Sequence, residues 1–233
     1  MARPVEDRAE AILAAARELL LRGGGQDATV DAVAARAGVG KGTVFLYWPT
    51  KTRLHDAVVR LEIAALLASL ADELRSGVTR LSVGHVVRRE IAAVLEVPSL
   101  APQVPGDPGS PVDSDEFPGL ALHRIISIMQ AHGLVRGVPT AEIVSAFKIV
   151  MAGSVIVGLK GPEMREVLLN AAEHLVNATY DRADADPADI AAAMPEVLDA
   201  LEDAIDQLVE VAAPDRPTSA VLRPRERPAT TGV

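Results

Sequence analysis

The chain has 233 residues, of which 49% are hydrophobic and only 3% aromatic, so its core must be aliphatic and its composition favours helices. It contains no cysteine, which excludes disulfides, thiol nucleophiles and cysteine metal sites. The net charge of −9 argues against nucleic acid, but residues 1–60 carry 9 Lys/Arg against 7 Asp/Glu, so the N-terminal part is the place suited to a polyanion.

Apolar spacing in the first fifty residues predicts three short helices, over about residues 6–22, 30–37 and 41–47. The run of glycines at 23–25 should end the first helix, because glycine readily adopts a left-handed conformation. Thr29 is a natural N-cap for the second helix, and Gly38 should break it.

Beyond residue 50 the pattern stays helical. Thr50 should cap a long helix that runs to about Arg75. Further helices are predicted over about residues 80–96, 119–132, 140–159, 162–180 and 188–212. Residues 97–118 hold six prolines and predict a surface loop. The segment 214–233 combines four prolines with four arginines and predicts a disordered tail.

The most informative stretch is residues 29–48, TVDAVAARAGVGKGTVFLYW. Ala34 is small, which lets two helices pack closely, and Gly38 suits a tight turn between them. A small apolar core is predicted from Val30, Val33, Ala37, Val39 and Val44. Lys41, Thr43 and Tyr47 should then point outward from a helix that fits the major groove. The spacing predicts a helix-turn-helix that binds double-stranded DNA.

Residues 8–56 resemble the DNA-binding domain of the tetracycline-repressor (TetR) family. The matching positions are Thr29-Val30, Val33-Ala34, Ala37-Gly38-Val39, Gly42-Thr43-Val44 and Lys51 through Leu54. The chain departs at Gly40, Phe45, Tyr47 and Trp48, where the family has Ser, Tyr, His and Phe.

The resemblance implies an all-α homodimer: an N-terminal three-helix helix-turn-helix DNA-binding domain (1–50) and a C-terminal helical ligand-binding and dimerisation domain (51–213).

The DNA contacts expected are Thr29, Gly40, Lys41, Gly42, Thr43, Leu46, Tyr47, Trp48 and Lys51. Lys51 lies at a helix N-terminus, where the helix dipole disfavours its positive charge. A bound phosphate would offset this penalty, because both lysine and a helix N-terminus favour an anion. The alternative is that the Lys51 side chain is simply solvated. Leu46 either touches a thymine methyl or packs at the edge of the helix bundle, and we favour packing. Phe45 is assigned to the core, and Trp48 is open between core and contact.

The C-terminal region is larger than dimerisation alone requires, so we expect it to bind a small apolar effector. The candidate ligand-binding residues are His85, Arg88, Phe117, His123, Met129, Phe147 and Met151. The same residues would also suit an ordinary helical core. For the dimer we favour helices 140–159 and 188–212, forming a four-helix bundle across a two-fold axis.

Other chemistries find little support. Residues 38–43 superficially match a phosphate-binding loop, but Gly42 separates Lys41 from Thr43 and no strand precedes them. The five histidines show no metal spacing and no hydrolase motif occurs, so neither an enzyme nor a cofactor is expected. The most apolar run, between Lys148 and Lys160, is shorter than the about 20 residues that a bilayer span needs. We therefore expect a cytoplasmic protein without a membrane partner.

The sequence predicts a ligand-responsive transcriptional regulator that binds a palindromic operator as a dimer. The default expectation is a repressor released when a small apolar effector shifts the long helix at 51–75. The alternative is a DNA-binding regulator without a small-molecule ligand, controlled by its own level or by a protein partner.

Overall fold

The computed structural model describes residues 5–77, 80–96 and 119–215. These residues form nine α-helices, with one isolated β-bridge between Val135 and Asp181, so the predicted all-α fold is confirmed. The helices are α1 (Val5–Asp27), α2 (Val30–Ala37), α3 (Lys41–Tyr47), α4 (Lys51–Ser76), α5 (Val83–Glu96), α6 (Gly119–Ala131), α7 (Thr140–Lys160), α8 (Arg165–Tyr180) and α9 (Pro187–Ala212). The predicted loop at 97–118, with Phe117, and the tail from 216 onward lie outside the described residues.

The helix boundaries follow local sequence signals closely. The Thr29 hydroxyl accepts a hydrogen bond from the Ala32 backbone N–H at 3.2 Å, and the Thr50 hydroxyl accepts one from Arg53 at 3.1 Å. Gly38 ends α2 with a φ of +69°, which strains any residue with a side chain.

One predicted helix end is wrong. The glycines at 23–25 do not stop α1, which continues to Asp27. None of the three takes a positive φ. Glycine permits a left-handed turn but does not impose it, and each costs a helix only about 1 kcal/mol relative to alanine.

Buried apolar side chains form two cores. The first joins α1, α2 and α3 to the first turns of α4, through side chains such as Ile12, Val33 and Val58. The second fills the space among α4 to α9. Because α4 contributes to both cores, it connects the N-terminal helices directly to the rest of the protein.

A second connection is made by α9, which packs antiparallel along α4. Its apolar side chains are buried in the protomer; they include Ala193, Val197, Ala200, Leu201, Ala204 and Leu208. Near the far end of α4, Arg75 forms an ion pair with Glu202. At the other end, Ala212 belongs to the first core. Each helix has 26 residues, about 39 Å, so the pair spans the molecule.

Two glycines allow α5 to lie close to both α7 and α8. A Cβ on Gly84 would come within 2.5 Å of the Glu173 carbonyl oxygen on α8. A Cβ on Gly158 of α7 would lie 2.8 Å from the Leu95 side chain. In addition, the Gly84 N–H donates to the Asn177 side-chain oxygen at 2.8 Å, so α8 adds a second cap to the one that Ser82 provides by accepting from the His85 N–H at 3.1 Å.

Candidate nucleic-acid interface

The short helix α3 is held by its inner face. With seven residues it is too short to be stable alone, so its orientation depends on packing. Val44 is 1% exposed and Tyr47 6% exposed, both within the first core. Trp48, directly after the helix, is also 1% exposed, and its ring centroid lies 5.9 Å from that of Tyr47. These side chains fix which face of α3 meets solvent.

The outer face of α3 carries most of the predicted contacts. Exposed residues on and around it are Thr29, Gly40, Lys41, Gly42, Leu46 and Lys51, and Thr43 is half-buried. The Lys41 ammonium lies 2.8 Å from the Asp31 carboxylate, and both side chains are largely exposed. Such surface pairs contribute about 1 kcal/mol or less, so Lys41 can exchange Asp31 for a phosphate at little cost.

Glycine at positions 40 and 42 is not required by the fold. A Cβ on Gly42 would meet nothing within 4 Å, and one on Gly40 would meet only the Thr43 hydroxyl at 3.8 Å. Gly40 has an ordinary φ of −74°. The missing side chains therefore leave the backbone of the first turn of α3 open to close approach by a partner.

The structure corrects the assignments of Tyr47 and Phe45 and favours the core alternative for Trp48, which the sequence leaves open. Tyr47, expected to point outward, is buried, and Trp48 is a core residue whose Nε1–H donates to the Ala212 carbonyl at 3.4 Å. Phe45, expected in the core, is 40% exposed. The cause is helical phase: Val44 faces inward, so Phe45 lies 100° further round and Tyr47 returns to the inner face. Leu46 is 50% exposed, so packing covers only part of its surface.

The start of α4 adds a positive, accessible helix N-terminus. No acidic residue lies in its first turn, and Lys51 is exposed there. The Arg53 guanidinium lies 3.6 Å from the Asp215 carboxylate. Backbone N–H groups at a helix N-terminus, with lysine beside them, form a site suited to a phosphate.

The predicted ligand-binding residues are not brought together. Met129, Phe147 and Met151 are buried in the second core. His123 is exposed on α6. His85 lies on the α4 side of α5, with its Nε2 atom 3.2 Å from Glu73.

Arg88 lies between helices rather than in the interior. Its guanidinium donates to Asn170 at 2.6 Å and to Glu166 at 2.9 Å, both on α8. The next residue, Arg89, donates to Ser69 of α4 at 3.0 Å. These bonds fix the rotation of α5 between α4 and α8.

Glu90 is a partly buried residue that the sequence reasoning missed. Successive helical positions differ by 100°, so Glu90 points away from the α4 and α8 contacts and shares a face with Val86 and Val94. Loss of hydration raises the pKa of Glu90 to about 8. Within the described part of the chain, its carboxyl takes part in no hydrogen bond or ion pair. An acidic residue one turn from valines on both sides was the signal available in the sequence.

An open polar cavity of about 570 Å³ lies at the end of the molecule remote from α3. Arg80, Arg136 and Arg182 line it together with Glu173 and Asp181. Burial raises the pKa of Asp181 to about 6. Across the described ranges, no group of three or more His, Asp or Glu side chains is placed to hold a metal ion.

Comparison with known proteins identifies the N-terminal unit. Residues 12–58 match the model of the bacterial regulatory proteins of the tetR family. No curated protein of significantly similar sequence was found.

Two solved structures share the fold. A protein solved in work on the control of antibiotic production by bacterial hormones is 22% identical, with 77% of this chain and 100% of that chain covered and a TM-score of 0.57. FadR from Bacillus subtilis, in complex with stearoyl-CoA, is 15% identical, with coverages of 72% and 97% and a TM-score of 0.52. The helix-turn-helix geometry of α2 and α3 agrees with the match of residues 12–58 to the tetR family model, and the two solved structures agree with the all-helical fold.

Proposed function

We propose that this protein is a transcriptional regulator of the TetR family, a cytoplasmic repressor that binds a palindromic operator in double-stranded DNA as a homodimer and is released by a small apolar effector. The outer face of α3 beside the open N-terminus of α4 is the observation that carries the proposal.

The proposed DNA contact divides into positioning and reading groups. Lys41, Lys51 and the first N–H groups of α4 contact phosphates, which position the protein. α3 is about 10 Å long, and the major groove is about 12 Å wide, so the helix fits with its outer face toward the bases. Phe45 and Leu46 present apolar surface there, which suits thymine methyl groups. Tyr47 and Trp48 act as supports for the helix and make no readout contact in this scheme.

The proposed dimer face lies on α7 and α8, which pack against each other. The exposed apolar side chains on these helices are Ile149, Ile156 and Val157 of α7 and Val167 and Leu175 of α8. The expected pairing with α9 is not available, because Val197, Leu201 and Leu208 are already buried against the same protomer.

The length and apolarity of α7 also support its assignment to the dimer face. Contrary to the expectation from Lys148–Lys160, the stretch Thr140–Gly158 is long and apolar enough for a membrane span, and only 29% of it is buried. A second protomer that covered this open apolar face would remove it from water, which supports a four-helix bundle of α7 and α8 with their symmetry mates.

The proposed effector site is the interior of the second core, where Met129, Phe147 and Met151 are the adaptable side chains. FadR was solved with stearoyl-CoA, a molecule with a long apolar chain. Glu90 offers one polar group in this apolar setting, and a neutral carboxyl can both donate and accept a hydrogen bond. A ligand that binds one arrangement of α4 more tightly than another shifts α3 through the shared first core.

The first prediction concerns Gly42. Gly42→Ala should weaken binding to the selected operator duplex about tenfold or more, because a methyl group would stand between α3 and the DNA. The melting temperature should stay equal or rise, since alanine favours a helix by about 0.5–1 kcal/mol over glycine. Fluorescence anisotropy and thermal melting measure both. Gly137→Ala, at another position with open space around it, is the matched control and should leave affinity unchanged. Equal affinity of both variants for the duplex would contradict the proposal that DNA approaches Gly42 closely.

The second prediction concerns the dimer. Ile156→Glu should give a monomer by sedimentation and lower the affinity for a palindromic duplex, because a carboxylate would be buried in an apolar interface. Val209→Glu, at another exposed apolar position, on α9, should remain dimeric. The reverse pattern would assign the interface to α9, and two dimeric variants would place it on neither helix.

The third prediction concerns pH. Between pH 4.5 and 8 the native state keeps the Glu90 proton that the unfolded chain has lost, so the free energy of unfolding falls as pH rises through this range. Glu90→Gln has no titratable proton at this position. Its free energy of unfolding should therefore fall less steeply with pH than that of the unmodified protein, by up to about 1.4 kcal/mol per pH unit. Asp181, whose pKa is about 6, contributes to both proteins alike. Denaturant titrations at pH 5 to 8.5 should show the curves diverging; parallel curves would mean that Glu90 is hydrated.

A further inference from the structure

We propose that α3 recognises thymine by its methyl group, which sits in a notch above Gly42 beside Phe45 and Leu46, and that α3 therefore accepts 5-methylcytosine in place of thymine. Both bases carry this methyl group at the same point of the major groove, whereas unmodified cytosine lacks it. The inference rests on the proposed DNA-binding function and specifies which chemical group of the operator is read.

Gly42, Phe45 and Leu46 share the outer side of α3, and we call these three residues the apolar face. Residues three and four positions apart are neighbours on a helix surface, so Phe45 and Leu46 both lie one turn beyond Gly42. Phe45 is 40% exposed and Leu46 is 50% exposed. Helical side chains lean toward the N-terminus of their helix, which turns both of them toward Gly42. Two apolar side chains therefore border the position where a side chain is missing.

The surface above Gly42 has room for a methyl group. Apart from its chain neighbours and the helix backbone, no atom lies within 4 Å of a Cβ placed on Gly42. Alanine would favour the helix over glycine, so the folding of α3 does not account for glycine at this position. A thymine methyl group seated there fills the open space. It also removes the bordering surface of Phe45 and Leu46 from water, which stabilises the contact.

The apolar face carries no hydrogen-bonding side chain. The polar side chains of α3 are those of Lys41, Thr43 and Tyr47, which lie outside this face. Tyr47 is buried, Thr43 is half-buried, and Lys41 lies at the first position of the helix. Arginine, asparagine and glutamine, which read guanine and adenine by paired hydrogen bonds, do not occur in α3. The apolar face therefore distinguishes base pairs by the thymine methyl group.

The rival role for the apolar face is packing against the sugars of the DNA backbone, which carry no sequence information. The position of the basic groups favours the bases. Lys41 lies at the start of α3, and Lys51 with the N-terminus of α4 follows its end. When these two points contact phosphates, the apolar face between them lies over the groove and meets base edges.

The test changes single methyl groups in the duplex that the full chain selects from a random pool. Deoxyuridine in place of one thymine per half-site removes the methyl group and keeps every hydrogen-bonding group of the base. At the contacted position the affinity should fall about fourfold per half-site, the factor for burial of one methyl-sized group. At the same position, a pair of 5-methylcytosine with guanine should bind more tightly than a pair of cytosine with guanine, by a similar factor. Fluorescence anisotropy measures each duplex.

Phe45→Ala and Leu46→Ala locate the methyl contact on the protein. In these variants the affinities for the thymine duplex and the deoxyuridine duplex should become nearly equal. Val209→Ala is the matched control, because it shortens an exposed apolar side chain of α9, and it should keep the fourfold ratio. None of the three substitutions changes a buried side chain, and thermal melting checks that each variant is folded.

Several results would overturn the inference. One is an affinity that is independent of the methyl group at every thymine of the half-site, and another is a selected half-site without thymine. A thymine-to-deoxyuridine ratio that both alanine variants leave unchanged would assign the methyl contact to another element. Alanine variants that lose affinity for both duplexes alike, with no methyl effect in the unmodified chain, would assign the apolar face to the sugars. If the unmodified chain binds no duplex even at low salt, the proposed DNA-binding function itself fails.

Discussion

The packing of Trp48 and Val44 into the N-terminal core is the interaction on which the other features depend. A seven-residue helix cannot hold its own conformation in water, so the surface that α3 offers is decided by what its inner face contacts. Trp48 is the largest fully buried side chain among the described residues. Its burial fixes the end of α3, and Gly38 fixes the beginning by a turn that a side chain would strain.

The same contact explains how the second core can influence the exposed face of α3. Trp48 touches the end of α9, and Leu54 and Val58 of α4 belong to the same core. Two long helices thus connect the second core to the first, at adjacent points. A change in the second core that moves α4 relative to α9 must either tilt α3 or break the Trp48–Ala212 contact. Packed cores have discrete arrangements, so such a movement favours switching over gradual adjustment.

Local rules predicted much of the fold. The caps at Thr29 and Thr50, the turn at Gly38 and the short helix starting at Lys41 follow from side chains that act on their own neighbourhood. The glycine run at 23–25 shows the limit of such rules, since helical glycine depends on the surrounding packing. Of the proposed DNA contacts, Lys41, Gly42 and Lys51 are exposed as expected, whereas Leu46, for which packing is expected, is half exposed.

Features that depend on tertiary contact could not be predicted in the same way. The phase of α3, which exposes Phe45 and buries Tyr47, is set by the core that it joins. His85 and Arg88 suited a pocket by residue type, but His85 contacts Glu73 of α4 and Arg88 pairs with Glu166 of α8. The apolar stripe of α9 suited a dimer equally well until α4 was found to cover it. In each case the sequence shows that a helix face is apolar or polar. Only the neighbouring helix shows whether that face is buried in the protomer or left open to a partner.

Selection of duplexes from a random pool by the purified full chain tests the central claim most directly. The account predicts enrichment of a palindrome whose half-site centres lie about 34 Å apart or a multiple of it, read by two copies of α3. A pool that stays unenriched at low salt would contradict the DNA-binding role of the exposed α3 face.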